Sequence, residues 1–495
     1  MEQDNSQLPR VAEHNSSLAS WLSIDSFHFQ HSLPARSNRR VTVYRNMFQR
    51  VAGLPRQVAI VGAKALVQKG SKAAAPSTTE MIGRVLNSAL QEAQLQVSDL
   101  DGLIAVPSLT ENHFMESHYQ ATLLGLFDTR PARPLRCRTI DTGGAGPVSA
   151  LLQAEQMIQN EELECVAVVA ADSVGSMPSH EFLEKANSIF FKLQQQQQQQ
   201  AGNGTSTTTT TSFPSPAIPH GYDKITRYQM QHYGITRDQL RMAVCLESFH
   251  AGMHTESLYY RKNHPLGRQY TSLQDVQTAT EVTPNISILE CARRADGAAC
   301  LILASNRFLA RKELYHKGTP VIVGRGESSG PLYPPDQIQE STYSSCNEAM
   351  AGAYASAGNM NVQDIDFFGL YDCFPICLVR ALEACGLAET GRGGDYLQQQ
   401  YDRLVDAMKN KNTAPLEADH PLLKDPSFFP VNTHGGLLCY GAPWEVPAMY
   451  NIIEAVHQLR GVASGRQIDN CRRALVFGNG GVLSASAVAI LANSS

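Results

Sequence analysis

The sequence predicts an α/β fold of two similar halves, with an extra loop domain inserted into the first. Three observations carry this reading. Apolar, β-branched runs recur at Val58–Gly62, Leu103–Val106, Cys165–Ala171 and Ala298–Ala304. They return at Val321–Gly324, Phe367–Leu370, Ala474–Phe477 and Ala485–Ile490. Continuous apolar runs of this length fit strands buried on both faces. Helical patterns lie between them, as at Met81, Val85, Ala89 and Leu90, and such alternation argues α/β architecture. Finally, two segments look like copies, each placed between a helix and a strand. Val97-Ser98-Asp99-Leu100-Asp101 precedes Leu103–Val106, and Val362-Gln363-Asp364-Ile365-Asp366 precedes Phe367–Leu370.

The predicted order is a basic extension over 1–55 and a first half over 56–175. A loop domain over 176–290, a return strand within 291–315 and a second half over 316–495 follow. The 495 residues leave room for about three domain-sized units. Between Ser26 and Thr79 there is no acidic residue, while Arg36, Arg39, Arg40, Arg45, Arg50 and Arg56 alternate with apolar ones. That composition fits an organellar transit segment, with a mitochondrial address expected, or a flexible basic tail. The final residues, Ala492-Asn493-Ser494-Ser495, are not Ser-Lys-Leu, so a peroxisomal address is not expected. Gln194 to Gln200 and the Gly/Ser/Thr tract to Ser212 read as a low-complexity loop.

Forty-one basic against 46 acidic residues give a net charge of -5, which makes no electrostatic case for nucleic acid. No apolar run approaches the roughly 18 residues that a membrane-spanning helix needs. Eleven scattered cysteines contain no metal-type CxxC pairing and read as free thiols. His250 and His254 are four apart with no evident third ligand, so no metal is expected.

Four glycine-rich or strand-end places offer chemistry. Asp141-Thr142-Gly143-Gly144-Ala145-Gly146-Pro147 opens an apolar helix, and backbone N–H groups there can face an anion or a developing oxyanion. Tyr371-Asp372-Cys373-Phe374 follows the strand Phe367–Leu370, at the end of a strand where α/β sheets collect ligands. Asn432-Thr433-His434-Gly435-Gly436 leads to Gly441-Ala442-Pro443, and Gly478-Asn479-Gly480-Gly481 joins two strands.

Together these motifs resemble the thiolase superfamily, above all the sterol-carrier-protein-type thiolases and their trypanosomatid thiolase-like relatives. Tyr371-Asp372-Cys373-Phe374 is similar to the family's His-Asp-Cys-Phe fingerprint. Asn432 to Pro443 follows Asn-x-x-Gly-Gly-x-x-x-x-Gly-His-Pro except for the histidine. Arg293-Arg294-Ala295-Asp296-Gly297-Ala298-Ala299 is similar to the segment returning from the loop domain. The resemblance covers roughly residues 56 to 492. It implies a thiolase fold, two βαβαβαββ halves in a five-layered αβαβα core, and a homodimer. It also implies acyl-CoA as ligand or substrate, with no tightly bound cofactor.

The departures matter as much. Gly144 stands where the family's acyl-accepting cysteine would be, and Ala442 where its histidine would be. Losing a nucleophile or its base costs about 10⁴ to 10⁶ in rate, so ordinary thiolysis is not expected. By the resemblance, the N–H of Gly144 and one from Asn479 or Gly480 form an oxyanion hole, and Cys373 moves the proton at the carbon beside the thioester. Tyr371 either donates to the thioester oxygen or packs on Phe374. Asn432 and His434 are candidates for holding water, and His434 for replacing the missing imidazole. Gly143, Ala145, Phe374, Gly435, Gly436 and Ala442 are expected to line the substrate.

The expected function is therefore a degenerate thiolase-like protein of lipid metabolism that binds short-chain acyl-CoA such as acetoacetyl-CoA. Weak malonyl-CoA decarboxylation is its expected activity. The alternatives are a non-catalytic acyl-CoA-binding protein or partner subunit, and an active thiolase using a displaced thiol such as Cys439. Loop-domain cations Lys224, Arg227, Arg237, Arg241, Arg261, Lys262 and Arg268 are available for CoA, none singled out.

Overall fold

β-branched and alanine-rich segments place nine strands side by side, from edge to edge Arg136–Thr139, Gly102–Ala105, Cys165–Asp172, Asp296–Ser305, Val58–Gln68, Pro320–Ser329, Ala485–Asn493, Arg473–Gly480 and Phe367–Leu370. The computed structural model describes residues 57–71, 76–128, 134–160, 163–188, 215–260, 270–335, 337–340, 344–409 and 428–494. The basic stretch 1–55, the tract 194–212 and the cations Arg261, Lys262 and Arg268 lie outside these residues.

The first half of the sheet comprises β1 (Val58–Gln68), β2 (Gly102–Ala105), β3 (Arg136–Thr139), β4 (Cys165–Asp172) and β7 (Asp296–Ser305). The second comprises β8 (Pro320–Ser329), β9 (Phe367–Leu370), β10 (Arg473–Gly480) and β11 (Ala485–Asn493). A small hairpin, β5 (Glu281–Thr283) with β6 (Ile286–Ser287), stands apart. The two halves touch through the pair Ala59–Val321. The sequence copies adopt one structure: Val97–Asp99 and Val362–Asp364 each form a 3₁₀ turn leading into β2 and β9.

Helices complete five layers. α1 (Thr78–Glu92) covers the first half-sheet from outside, starting from a capping box between Ser77 and Glu80. It sits so close that a Cβ at Gly62 would come within 3.0 Å of the Ala89 carbonyl carbon. α2 (Gly146–Asn160) is buried on almost every side. It meets α8 (Pro447–Arg460) in the middle layer, between the half-sheets.

Inserted between β4 and β7 are α3 (Ala217–Tyr233) and α4 (Arg237–Met253). The second half-sheet carries α5 (Ser345–Ser356) outside, and α6 (Pro375–Ala384) and α7 (Gly393–Lys409) follow β9. α4 packs on α6, α7 and the π-helical turn Gly436–Tyr440. The inserted segment thus lies over the strand ends where the sequence placed its chemistry. All eleven cysteines are free thiols. Among the described residues no helix is long and apolar enough to cross a membrane, and no group of His, Cys, Asp or Glu is placed to hold a metal.

Candidate functional site

Two glycine bends meet backbone to backbone. A Cβ on Gly143 would lie 3.0 Å from the Gly480 Cα, and one on Gly478 would lie 3.0 Å from the Ala145 Cα. Only chains without side chains approach this closely. At Gly144 a Cβ would overlap the Tyr371 hydroxyl and the Asn479 carbonyl oxygen, and would come within 2.5 Å of the Tyr371 Cζ. The volume a side chain at position 144 would take is therefore filled by the tyrosine that ends β9. Glycine at 144 and tyrosine at 371 are two parts of one packing arrangement.

Cys373 lies beside this pair, half-buried. One residue that sequence reasoning missed is Tyr222 of α3. Its hydroxyl donates to the Gly481 carbonyl oxygen at 2.9 Å, accepts from Asn479 Nδ2 at 2.7 Å and lies near the Cys373 thiol. Its ring stacks on Phe374, centroids 4.6 Å apart. The one clue in the sequence was a tyrosine on the buried face of a helix. Burial, followed by the neighbouring Cys373, pushes the Tyr371 phenol well above its ordinary range, so it stays an O–H donor.

The neighbouring loop is held by acids. Asp372, fully buried, accepts from the Leu437 N–H at 2.8 Å and the Leu438 N–H at 3.1 Å. Burial nevertheless raises its carboxyl to about 7. Glu247 of α4 is raised by burial and by Asp372, and it accepts from Asn432 Nδ2 at 3.0 Å. The segment carrying Ala442 is tied to the strand returning from the loop domain: the Ala442 N–H donates to the Arg293 oxygen at 2.7 Å, and the Ala442 oxygen accepts from Ala295 at 3.3 Å.

Four expectations need correction. Asn432 does not hold water, because its amide is engaged by protein. Oδ1 accepts from Leu370 N–H at 2.7 Å, and Nδ2 donates to the Leu370 oxygen at 2.7 Å as well as to Glu247. His434 does not replace the missing imidazole. It lines a separate cavity of about 100 Å³ with Lys64, His254, Tyr440, Glu454 and His457, and burial depresses it to about 4. Gly435 and Gly436 face protein rather than a ligand: a Cβ on Gly435 would come within 2.8 Å of the Ala251 Cα, and one on Gly436 within 2.7 Å of Asp372 Oδ1. In each case the spacing placed the residue near the site while the local turn directs it elsewhere.

The structure therefore gathers Gly143, Gly144, Ala145, Tyr371, Cys373, Phe374, Asn479 and Gly480 around one place, with Tyr222 added. Residues 335–405 and 415–493 match a family model described as thiolase C-terminal domain-like. The Ltp2-ChsH2(DUF35) aldolase structure superposes with TM-score 0.64 at 21% identity, covering 88% of this chain and 98% of that one. Human mitochondrial 3-ketoacyl-CoA thiolase in complex with CoA does so with TM-score 0.58 at 15% identity, covering 89% and 98%.

The fold is that of the thiolases.

Curated relatives support the thiolase superfamily as well. Acetyl-CoA acetyltransferase of Methanothermobacter thermautotrophicus is 27% identical over 55% of this chain and 62% of its own length. Bos taurus sterol carrier protein 2 is 26% identical over 66% of this chain. The chain spans only 53% of that bovine relative. This chain is thus thiolase-like.

Proposed function

We propose that this thiolase-like chain binds acyl-CoA thioesters and breaks the bond between the α- and β-carbons of the acyl group. The electrons pass into a thioester enolate, and no acyl-enzyme forms. One observation carries the reading: the place of the acyl-accepting thiol is a glycine whose side-chain volume is filled by the Tyr371 hydroxyl. A nucleophile has no room there, whereas a hydrogen-bond donor does. The Gly144 N–H, an N–H of the 479–481 bend and the Tyr371 hydroxyl are assigned to the enolate oxygen, each a donor of the kind worth about 3 kcal/mol to an oxyanion. Cys373, beside Tyr222, delivers the proton to the α-carbon.

Two acyl groups reach such an enolate without a nucleophile. Malonyl-CoA does so by losing CO₂. A β-hydroxyacyl-CoA does so by retro-aldol cleavage, which the likeness to an aldolase supports. Incubating the protein with each thioester and following acetyl-CoA release tests the reading. Release from either supports it, while saturable binding without release makes the chain an acyl-CoA-binding protein.

The homodimer belongs to the same proposal. β3 is one edge of the sheet, and Phe114, Leu123 and Phe127, in or flanking the helix Glu116–Leu123 that packs on it, are 91%, 55% and 42% exposed. Apolar patches of this kind mark protein interfaces, although one structural relative, the SCP2-thiolase like protein type 1 of Mycobacterium smegmatis, is described as monomeric. Sedimentation is expected to give twice the chain mass, and Leu123→Glu to halve it; a monomeric wild type refutes the dimer. The mitochondrial address stays with the arginine-rich N-terminal stretch, tested by locating a fluorescent fusion with and without residues 1–55.

A further inference from the structure

Ala442 leaves the site without the family's base, yet the same segment carries an acid three residues on. Glu445 lies between Pro443 and Pro447, just before α8. The preceding residue, Trp444, has φ +47°, a left-handed conformation that a bulky aromatic rarely adopts. Its ring is held edge-on by Phe182, centroids 5.8 Å apart, and Phe182 lies beneath the Arg294 guanidinium at 4.7 Å. The neighbouring indole offsets part of the cost of burying the Glu445 carboxylate. Its Oε2 is shielded from solvent and has no hydrogen-bond partner.

The titratable groups whose charge acts on Glu445 are Asp141 at the start of the Gly144 turn and Asp172 at the end of β4, and Glu445 in turn acts on Tyr371 just after β9. Asp172 is satisfied by Ser108, Leu109, Thr110 and Ser173. Arg294, on the adjoining segment, is directed at the Val174 and Met177 carbonyl oxygens and at Ser179 Oγ. Burial, with Asp141 and Asp172 adding to it, pushes the Glu445 carboxyl up to about 8.

A shielded carboxyl oxygen without a partner is costly unless something donates to it. In the ionised form that acts as a base, Glu445 repels a malonyl carboxylate, which carries no donor. A β-hydroxyl donates. We propose that Glu445 is the general base of the site and that its substrates are β-hydroxyacyl thioesters rather than malonyl ones. The assignment rests on the enolate reading above.

In the step, Oε2 removes the β-hydroxyl proton and that oxygen becomes a carbonyl. The Cα–Cβ bond breaks, and its electron pair moves into the thioester enolate. Cys373 then protonates Cα and is reprotonated from Glu445 through solvent. The products are acetyl-CoA, or its α-substituted homologue, and an aldehyde or ketone, with no net oxidation.

The test compares wild type, Glu445→Gln and Glu445→Asp on β-hydroxyacyl-CoA, with thermal unfolding confirming the fold. Glu445→Gln is expected to lower kcat at least about 100-fold with KM changed less than about threefold. The aspartate variant should recover part of the rate. Wild-type kcat/KM should rise with pH through about 8, and the glutamine variant should lose that limb. Undiminished kcat in Glu445→Gln, or an unaltered pH profile, overturns the assignment. So does a wild type that exchanges the α-hydrogens of acetyl-CoA in D₂O but cleaves no β-hydroxyacyl-CoA, which leaves the enolate reading standing. A wild type that does neither overturns both.

Discussion

Tyr371→Phe is expected to lower kcat/KM for acyl-CoA cleavage by about 10² to 10³, the scale set by removing one preorganised donor from an oxyanion. The fold should survive, because phenylalanine keeps the ring against its neighbours and loses only an oxygen. The pH profile should keep its shape. Burial and Cys373 raise the Tyr371 phenol, so it is a neutral donor throughout the working range and contributes no limb. Steady-state kinetics beside a thermal unfolding curve separates the two effects. A variant as active as wild type would show that Tyr371 only fills space, and one that fails to fold would make its role structural.

Gly144→Ala is expected to destabilise the protein by about 2 to 3 kcal/mol, in the range of overpacked cores. The new Cβ overlaps one side-chain group and one backbone group, the Tyr371 hydroxyl and the Asn479 carbonyl oxygen. Combining it with Tyr371→Ala should relieve the first overlap and leave the second, giving a coupling of about 1 kcal/mol in a double-mutant cycle. Urea unfolding midpoints measure this, and a neutral Gly144→Ala would mean that the two residues do not share that space. Gly144→Cys meets the same obstacles and, with alanine at 442, would still lack the base that activates a thiol.

Much of the scaffold was readable because strands buried on both faces are continuously apolar. β2, β4, β7 and β9 fall on runs picked out from composition alone. β3 escaped because it is an exposed edge strand reading Arg136-Cys137-Arg138-Thr139. β1 and β8 run past their apolar starts because their outer ends carry residues such as Lys64, Gln68 and Glu327, whose burial no longer demands an apolar side chain. In the site, Gly144, Tyr371 and Cys373 lie on strand ends and turns that short motifs mark.

Tyr222 and Glu445 were not legible. The first is brought to Cys373 by packing between segments far apart in the chain, and the second is a single acid in a turn without a motif. Asn432 and His434 belong to a recognisable motif, but motif spacing fixes a place on the backbone rather than the direction of a side chain.

The most direct test supplies a β-hydroxyacyl-CoA in D₂O, then weighs both the released acetyl-CoA and the intact protein. Chemistry through an enolate predicts at least one deuterium on the α-carbon of the product and an unchanged protein mass. A protein carrying an acyl group on Cys439 or any other thiol, or acetyl-CoA released without deuterium, would contradict it.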